Sequence, residues 1–271
     1  MPDTFRHLKA VVFDWAGTVI DHGSRAPMGV FVEVFCAFGV EVSVAEARVP
    51  MGLPKLAHIE ALGALPRVAE AWRAAHGRDF SHEDALAIYD VFVPINRRVV
   101  SEPRFATLIP GVADLVQTLR AGGLKIGSTT GYTRDILSEI LETAAAQGFA
   151  PDNTVCAGDL PVGRPTPLMM YKCFLDLAVW PASAVVKVDD TAPGIAEGIA
   201  AGTWTVGVAV SGNAFGLDEA ETAALSPAEF ASRRDAARRV LALAGADFVI
   251  DSVADLQPIL QQIELRLAND G

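Results

Sequence analysis

The chain has 271 residues, of which 51% are hydrophobic and 20% charged; its mean hydropathy of +0.31 suits one large or two modest packed units and excludes a disordered chain. Lys and Arg number 22 against 33 Asp and Glu, a formal net charge of -11, which disfavours nucleic acid and anionic membranes as partners but not a small anion held by local cations and a metal. No apolar run approaches the ~18–20 residues of a membrane span, Asp14 interrupts the apolar stretch near the N-terminus, and Cys36, Cys156 and Cys173 follow no disulfide or zinc spacing, so a soluble, cytoplasmic protein with buried free thiols is expected.

In chain order, the first predicted element is a short buried strand, Ala10-Val11-Val12-Phe13, which runs into Asp14 with Gly17 and Thr18 close behind. A carboxylate at the carboxyl end of a buried strand stands where open α/β sheets place their ligands. Asp14 is therefore a candidate nucleophile or metal ligand; taken alone, it reads equally as a turn or helix-cap residue. The next block, residues 23–100, is helical throughout. Residues 27–38 are apolar on most sides and stop at Gly39, and residues 43–48 open with a Ser43/Glu46 capping box. Residues 54–62, 66–76 and 81–100 follow, with Pro54 and Pro66 in first turns and Ser81 capping ahead of Asp84.

From Pro110 strands and helices alternate. Strands are predicted at residues 124–129, 154–157, 184–188, 204–210 and 247–250, and helices at 111–120, 133–146, 167–177, 192–201, 227–244 and 253–267. This predicts an α/β fold, a Rossmann-like, mainly parallel sheet with helices on both faces. The opening strand belongs to that sheet, so residues 1–22 and 101–271 form the core domain and residues 23–100 an inserted all-helical cap domain.

Three further strand ends carry chemistry. Gly127-Ser128-Thr129-Thr130-Gly131-Tyr132 offers hydroxyls and backbone N–H groups that can converge on a phosphate oxygen, or serves as an ordinary helix cap. Arg164, between Gly163 and Pro165, reads as a fixed cation for phosphoryl oxygens or as a surface arginine. Asp189 and Asp190 close the strand at residues 184–188. Adjacent acids rarely serve packing there, and with Asp14 they make an oxygen-rich site suited to Mg²⁺.

Acid, hydroxyl, cation and acid pair on successive strand ends resemble the haloacid dehalogenase-like phosphotransferases over essentially the whole chain. The resemblance implies Asp14 as nucleophile, Thr130 as the phosphate-binding hydroxyl, with Thr129 as fallback, Gly131 and Tyr132 beside it, and Arg164 as the basic residue. It also implies Mg²⁺ held by Asp14, Asp190 and the backbone carbonyl of Ala16. Two departures matter. Where phosphatases of this kind carry a second aspartate as general acid and base, this chain has Ala16, which cannot protonate a leaving alkoxide. Where relatives often have an aspartate four residues after the metal acid, it has Gly194, and Asp189 is the substitute charge nearby.

Asp14-Trp15-Ala16-Gly17-Thr18 with Met51-Gly52-Leu53-Pro54-Lys55-Leu56-Ala57-His58 is similar to the phosphonatase (phosphonoacetaldehyde hydrolase) family. That similarity implies a Schiff base on Lys55, contributions from His58 and Met51, release of acetaldehyde and phosphate, and a homodimer joined through the caps. The residues agree. With Pro54 at the first helical position, Lys55 lies in the first turn, where the helix dipole disfavours an ammonium; His58 lies on the same face, as a proton shuttle or orienting group or else as a histidine partly buried at the domain interface. The alternatives are an Mg²⁺-dependent phosphatase or dehalogenase acting on another small substrate, and a non-catalytic phosphate-binding scaffold.

Overall fold

A computed structural model of the chain describes residues 5–270. Its spine is a six-stranded sheet in the order β3-β2-β1-β4-β5-β6, built from β1 (Ala10–Phe13), β2 (Lys125–Thr133), β3 (Val155–Ala157), β4 (Val185–Asp189), β5 (Trp204–Val208) and β6 (Phe248–Ile250). Every neighbouring pair is parallel, so the sheet is wholly rather than mainly parallel. The central strand β1 is covered on both faces, which is why it reads as an unbroken apolar run. Val11 and Phe13 face one apolar cluster with Leu119, Ile126, Ile140 and Leu260. Ala10 and Val12 face another, with Met169, Met170 and Cys173. The chain builds outward from β1 to β3, then crosses back to lay β4 on the other side of β1. Asp14 and Asp190 emerge at that switch point.

The helices are α1 (Ala26–Ala37), α2 (Val44–Arg48), α3 (Lys55–Gly63), α4 (Pro66–His76), α5 (His82–Val100), α6 (Pro103–Ala106), α7 (Val112–Ala121), α8 (Arg134–Gln147), α9 (Leu168–Leu177), α10 (Ala192–Ala201), α11 (Glu219–Ala223), α12 (Pro227–Leu243) and α13 (Leu256–Asp270). The helical cap inserted after β1 packs around its own apolar cluster, including Phe31, Phe35, Ile59, Leu62, Trp72, Ile88 and Phe92. The capping boxes at Ser43/Glu46 and Ser81/Asp84 both form. The apolar face of α1 is used up inside the cap, where it packs along α5. Its solvent side carries Gly29, Glu33 and Cys36, so Cys36 is exposed, against the expectation of a buried thiol; Cys156 and Cys173 are buried.

Several boundaries move for physical reasons. β2 runs on to Thr133 because Thr133 pairs with Ala157 across a register shift after Thr130. Pro54 is extended (φ -53°, ψ 143°) and caps α3 rather than entering it, which makes Lys55 the first helical residue. The predicted last helix divides into a short 3₁₀ turn, Val253–Asp255, and α13, an arrangement that leaves Pro258 in a first turn, where its missing N–H costs nothing. The short helices α6 and α11 are additional to the sequence expectation.

Candidate active site

Cap and core meet over the carboxyl ends of β1, β2 and β4, and leave between them a narrow cavity of ≈ 20 Å³. Asp14, Ala16, Met51, Lys55, Thr130, Gly131, Tyr132 and Arg164 line it, as do Ser24, Gly52, Leu53 and Thr191. The structure thus gathers most of the sequence-derived candidates around one space. His58 and Asp190 stand behind that wall.

Asp14 is set by the sheet, its backbone N–H donating to Val188 O (2.9 Å), and Arg164 Nη2 lies 2.8 Å from its Oδ1. Burial and the neighbouring Asp189 charge raise the proton affinity of Asp14 despite that arginine. Asp190 is affected more strongly: burial, then Asp14 and Asp189, push it well above the ordinary carboxylate range. Its Oδ2 accepts the Asn213 N–H (2.8 Å) and its Oδ1 the Thr18 hydroxyl (3.3 Å).

Asp189 differs. Burial alone would raise its pKa, but Arg164 and Lys187 reverse the sign. Its Oδ2 lies 3.3 Å from Arg164 Nη2 and 3.1 Å from Lys187 Nζ, and its Oδ1 accepts from the Thr191 N–H and hydroxyl. A Cβ on Gly194 would sit 1.9 Å from Asp189 Oδ2, so the Asp189 carboxylate fills the space that a side chain at position 194 would take. Asp14, Asp189 and Asp190 offer oxygens within 4.8 Å of one another, a hard donor set that fits a divalent cation. Burial first, and then the neighbouring carboxylates, raise the proton affinities of Asp14 and Asp190, whereas the oxygens of Asp189 are already engaged by Arg164, Lys187 and Thr191.

Thr129 and Thr130 point to opposite faces of β2. The Thr129 hydroxyl donates to Glu197 Oε2 (2.8 Å) and accepts from Lys187 Nζ (2.6 Å) and Arg164 Nη2 (2.9 Å). Thr130 is the residue of the two that lines the cavity, and its Oγ1 accepts the Tyr132 N–H (3.1 Å). Lys187 and Glu197, both fully buried, were not singled out from the sequence. The signal was there: a lysine inside an otherwise apolar strand and a lone acid in a small-residue helix. They close a charge cluster behind Arg164, whose Nε lies 3.1 Å from Glu197 Oε2.

On the cap, Lys55 is buried with its Nζ over the ring faces of Tyr132 (5.0 Å to centroid) and Phe31 (5.7 Å). Burial pulls its pKa down to about 8, with the Asp14 charge opposing. Desolvation thus leads in lowering its basicity, the effect that the sequence assigned to its helix-terminal position. His58 stacks on Phe31 (centroids 3.9 Å apart), and its Nε2 lies 2.9 Å from Ala47 O. A carbonyl only accepts, so Nε2 carries the proton and Nδ1 is left as a buried lone pair without a partner among the described residues. Burial, then the Lys55 charge, push the His58 pKa well below its ordinary value.

Comparison with known proteins fits this arrangement. Residues 8–202 match the family model of haloacid dehalogenase-like hydrolases. A curated phosphonoacetaldehyde hydrolase of Paraburkholderia phytofirmans is 57% identical over 263 residues, covering 97% of this chain and 98% of the relative. That of Klebsiella pneumoniae is 48% identical, with 96% and 97% covered. The crystal structure of a phosphonoacetaldehyde hydrolase-like protein from Oleispira antarctica superposes with a TM-score of 0.95 at 43% identity, covering 99% of this chain and 97% of that one.

Proposed function

The chain belongs to the phosphonoacetaldehyde hydrolases among the haloacid dehalogenase-like hydrolases, and on that premise we propose that it hydrolyses the C–P bond of phosphonoacetaldehyde to acetaldehyde and phosphate through a Lys55 imine and an Asp14 aspartyl-phosphate. One observation carries the reading: a buried cap lysine of lowered pKa lines one narrow cavity with the core aspartate, while Ala16 stands where an acid would protonate an alkoxide.

Breaking a C–P bond leaves an electron pair on carbon, which needs a sink. The neutral amine of Lys55 attacks the aldehyde carbon, and loss of water from the carbinolamine gives an imine, which is protonated. The His58 Nδ1 lone pair, one turn away on the same helix face, is the acceptor for the amine proton released on attack. The Asp14 carboxylate then attacks phosphorus in line. As the C–P bond breaks, its electron pair flows into the iminium and leaves an enamine on Lys55. Arg164, Thr130 and the Gly131 backbone neutralise the phosphoryl oxygens, while Met51 and Tyr132 wall the aldehyde end. Water hydrolyses the aspartyl-phosphate; the enamine gains a proton on carbon, and hydrolysis of the resulting imine frees acetaldehyde and Lys55.

Mg²⁺ fits the donor set: Asp14, Asp190 and the carbonyl of Ala16 would hold it, and when bound it would supply positive charge against the carboxylates and the phosphoryl oxygens. Asp189 serves instead to hold Arg164 and Lys187. Lys55→Arg is expected to keep the fold and lose phosphate release from phosphonoacetaldehyde by at least about 10³-fold, because a guanidinium has no nucleophilic lone pair at neutral pH. An active Lys55→Arg enzyme would sink the proposal.

A further inference from the structure

The cavity of ≈ 20 Å³ between cap and core has room for about one water. An organic phosphonate is far larger than that, so it enters and leaves as the cap parts from the core. What holds the two together therefore matters to turnover.

Arg48 ends α2, on the cap. Its Nη1 donates to Gly23 O (2.8 Å), Asn213 O (3.2 Å) and Asn213 Oδ1 (3.0 Å), and its Nη2 to Gly216 O (2.9 Å). Asn213 returns a bond from Nδ2 to Arg48 O (3.3 Å). Gly23 belongs to the strand-to-cap linker, which turns through left-handed conformations at Asp21 (φ 54°), Gly23 (φ 85°) and Ser24 (φ 50°). Asn213 and Gly216 lie on the core loop after β5, tied to the linker by Gly23 N–H to Ser211 O (2.7 Å). The same Asn213 gives its backbone N–H to Asp190 Oδ2 (2.8 Å). A second bridge, Arg25 to Asp218 (2.8 Å), is a third to a half exposed and correspondingly weak.

We propose that Arg48 is a positioning residue that latches the closed cap onto core loop 211–216, with Asn213 as the catch, so that this clasp sets the closed fraction of the enzyme and with it the apparent substrate affinity. Charge-assisted bonds from one half-buried guanidinium to several carbonyls are lost together when the cap swings away. The loop that receives them also holds a carboxylate of the active site, so closure and the placement of Asp190 are joined. The proposal rests on closure of the cap over substrate and not on the imine chemistry.

The test uses the full chain carrying Arg48→Gln, Asn213→Ala or both. In hydrogen exchange without substrate, amides of residues 23–25 and 212–216 are expected to exchange at least about tenfold faster in each variant, while those of β1 are unchanged. In phosphate release from phosphonoacetaldehyde, KM is expected to rise about 10- to 100-fold with kcat within about threefold of wild type, because only the competent fraction has changed. The double variant is expected to be no worse than the more severe single one. Unchanged exchange, losses confined to kcat, or additive losses in the double variant overturn the latch. Should Arg48→Gln not fold, Arg48→Lys keeps the stem and charge without the fork and is read the same way. The exchange arm needs no substrate, so a failure of the phosphonate reading leaves it intact and the two failures are told apart.

Discussion

In the proposed mechanism Lys55 carries the chemistry, and its burial comes at a cost to stability. Its pKa falls from the ordinary 10.5 to about 8 because its ammonium is buried. Below pH 8 both folded and unfolded chains hold the proton, and the folded state bears the desolvation cost. Between about 8 and 10.5 the unfolded chain binds more protons, so stability rises with pH until the penalty is gone. Lys55→Met should therefore abolish phosphate release yet raise stability at pH 7 by about 1–3 kcal/mol, read as an increased Tm. A destabilised Lys55→Met protein would contradict the burial argument. The rate of imine formation should likewise fall as pH drops through about 8, following the neutral amine. The choice between Thr129 and Thr130 was open in the sequence because the strand end was not legible. β2 continues to Thr133, and of the two it is Thr130 that lines the cavity, which favours it as the proposed phosphate ligand.

Among the elements, the loop between α2 and α3 is a piece of cap that docks on the core beside the site. Gly52 has φ +93°, and a Cβ there would lie 2.3 Å from Thr191 Oγ1 and 3.2 Å from Pro193 Cδ. Gly52→Ala should hold the cap off α10, raising KM by at least about tenfold while the core keeps its own thermal transition; an unchanged KM would show that this seam does not govern entry. The cap helices were legible because their caps are local: Ser43 with Glu46 and Ser81 with Asp84 fix helix starts within four residues. The charge cluster behind Arg164 was not. Lys187 and Glu197 lie on β4 and α10, pair directly (Nζ to Oε2, 3.3 Å) and share the Thr129 hydroxyl of β2, a juxtaposition that no local pattern encodes. Lys187→Met is expected to destabilise by about 3–5 kcal/mol, since it leaves Asp189 and Glu197 with one fewer buried cation, and a denaturant midpoint equal to wild type would contradict that.

At the scale of the whole molecule, alternating strands and helices made a parallel sheet legible, and a helical block after one strand made the insertion legible. The strand order, and hence which strand ends share a site, came only with the fold. No described helix is long and apolar enough to cross a membrane. Three buried acids in a molecule of net charge -11 should make the folded state sensitive to divalent cations. Mg²⁺ at about 100 times its Kd should add about 2.7 kcal/mol to stability, and Asp190→Asn should remove most of that gain; equal Tm values with Mg²⁺ and with chelator would count against a metal at this site. The most direct measurement of all is borohydride reduction of the protein with phosphonoacetaldehyde, followed by peptide mapping. One reduced adduct on Lys55 is expected, persisting in Asp14→Asn, where imine formation no longer leads to phosphorus transfer. No adduct, or an adduct on another lysine, would contradict the Lys55 mechanism.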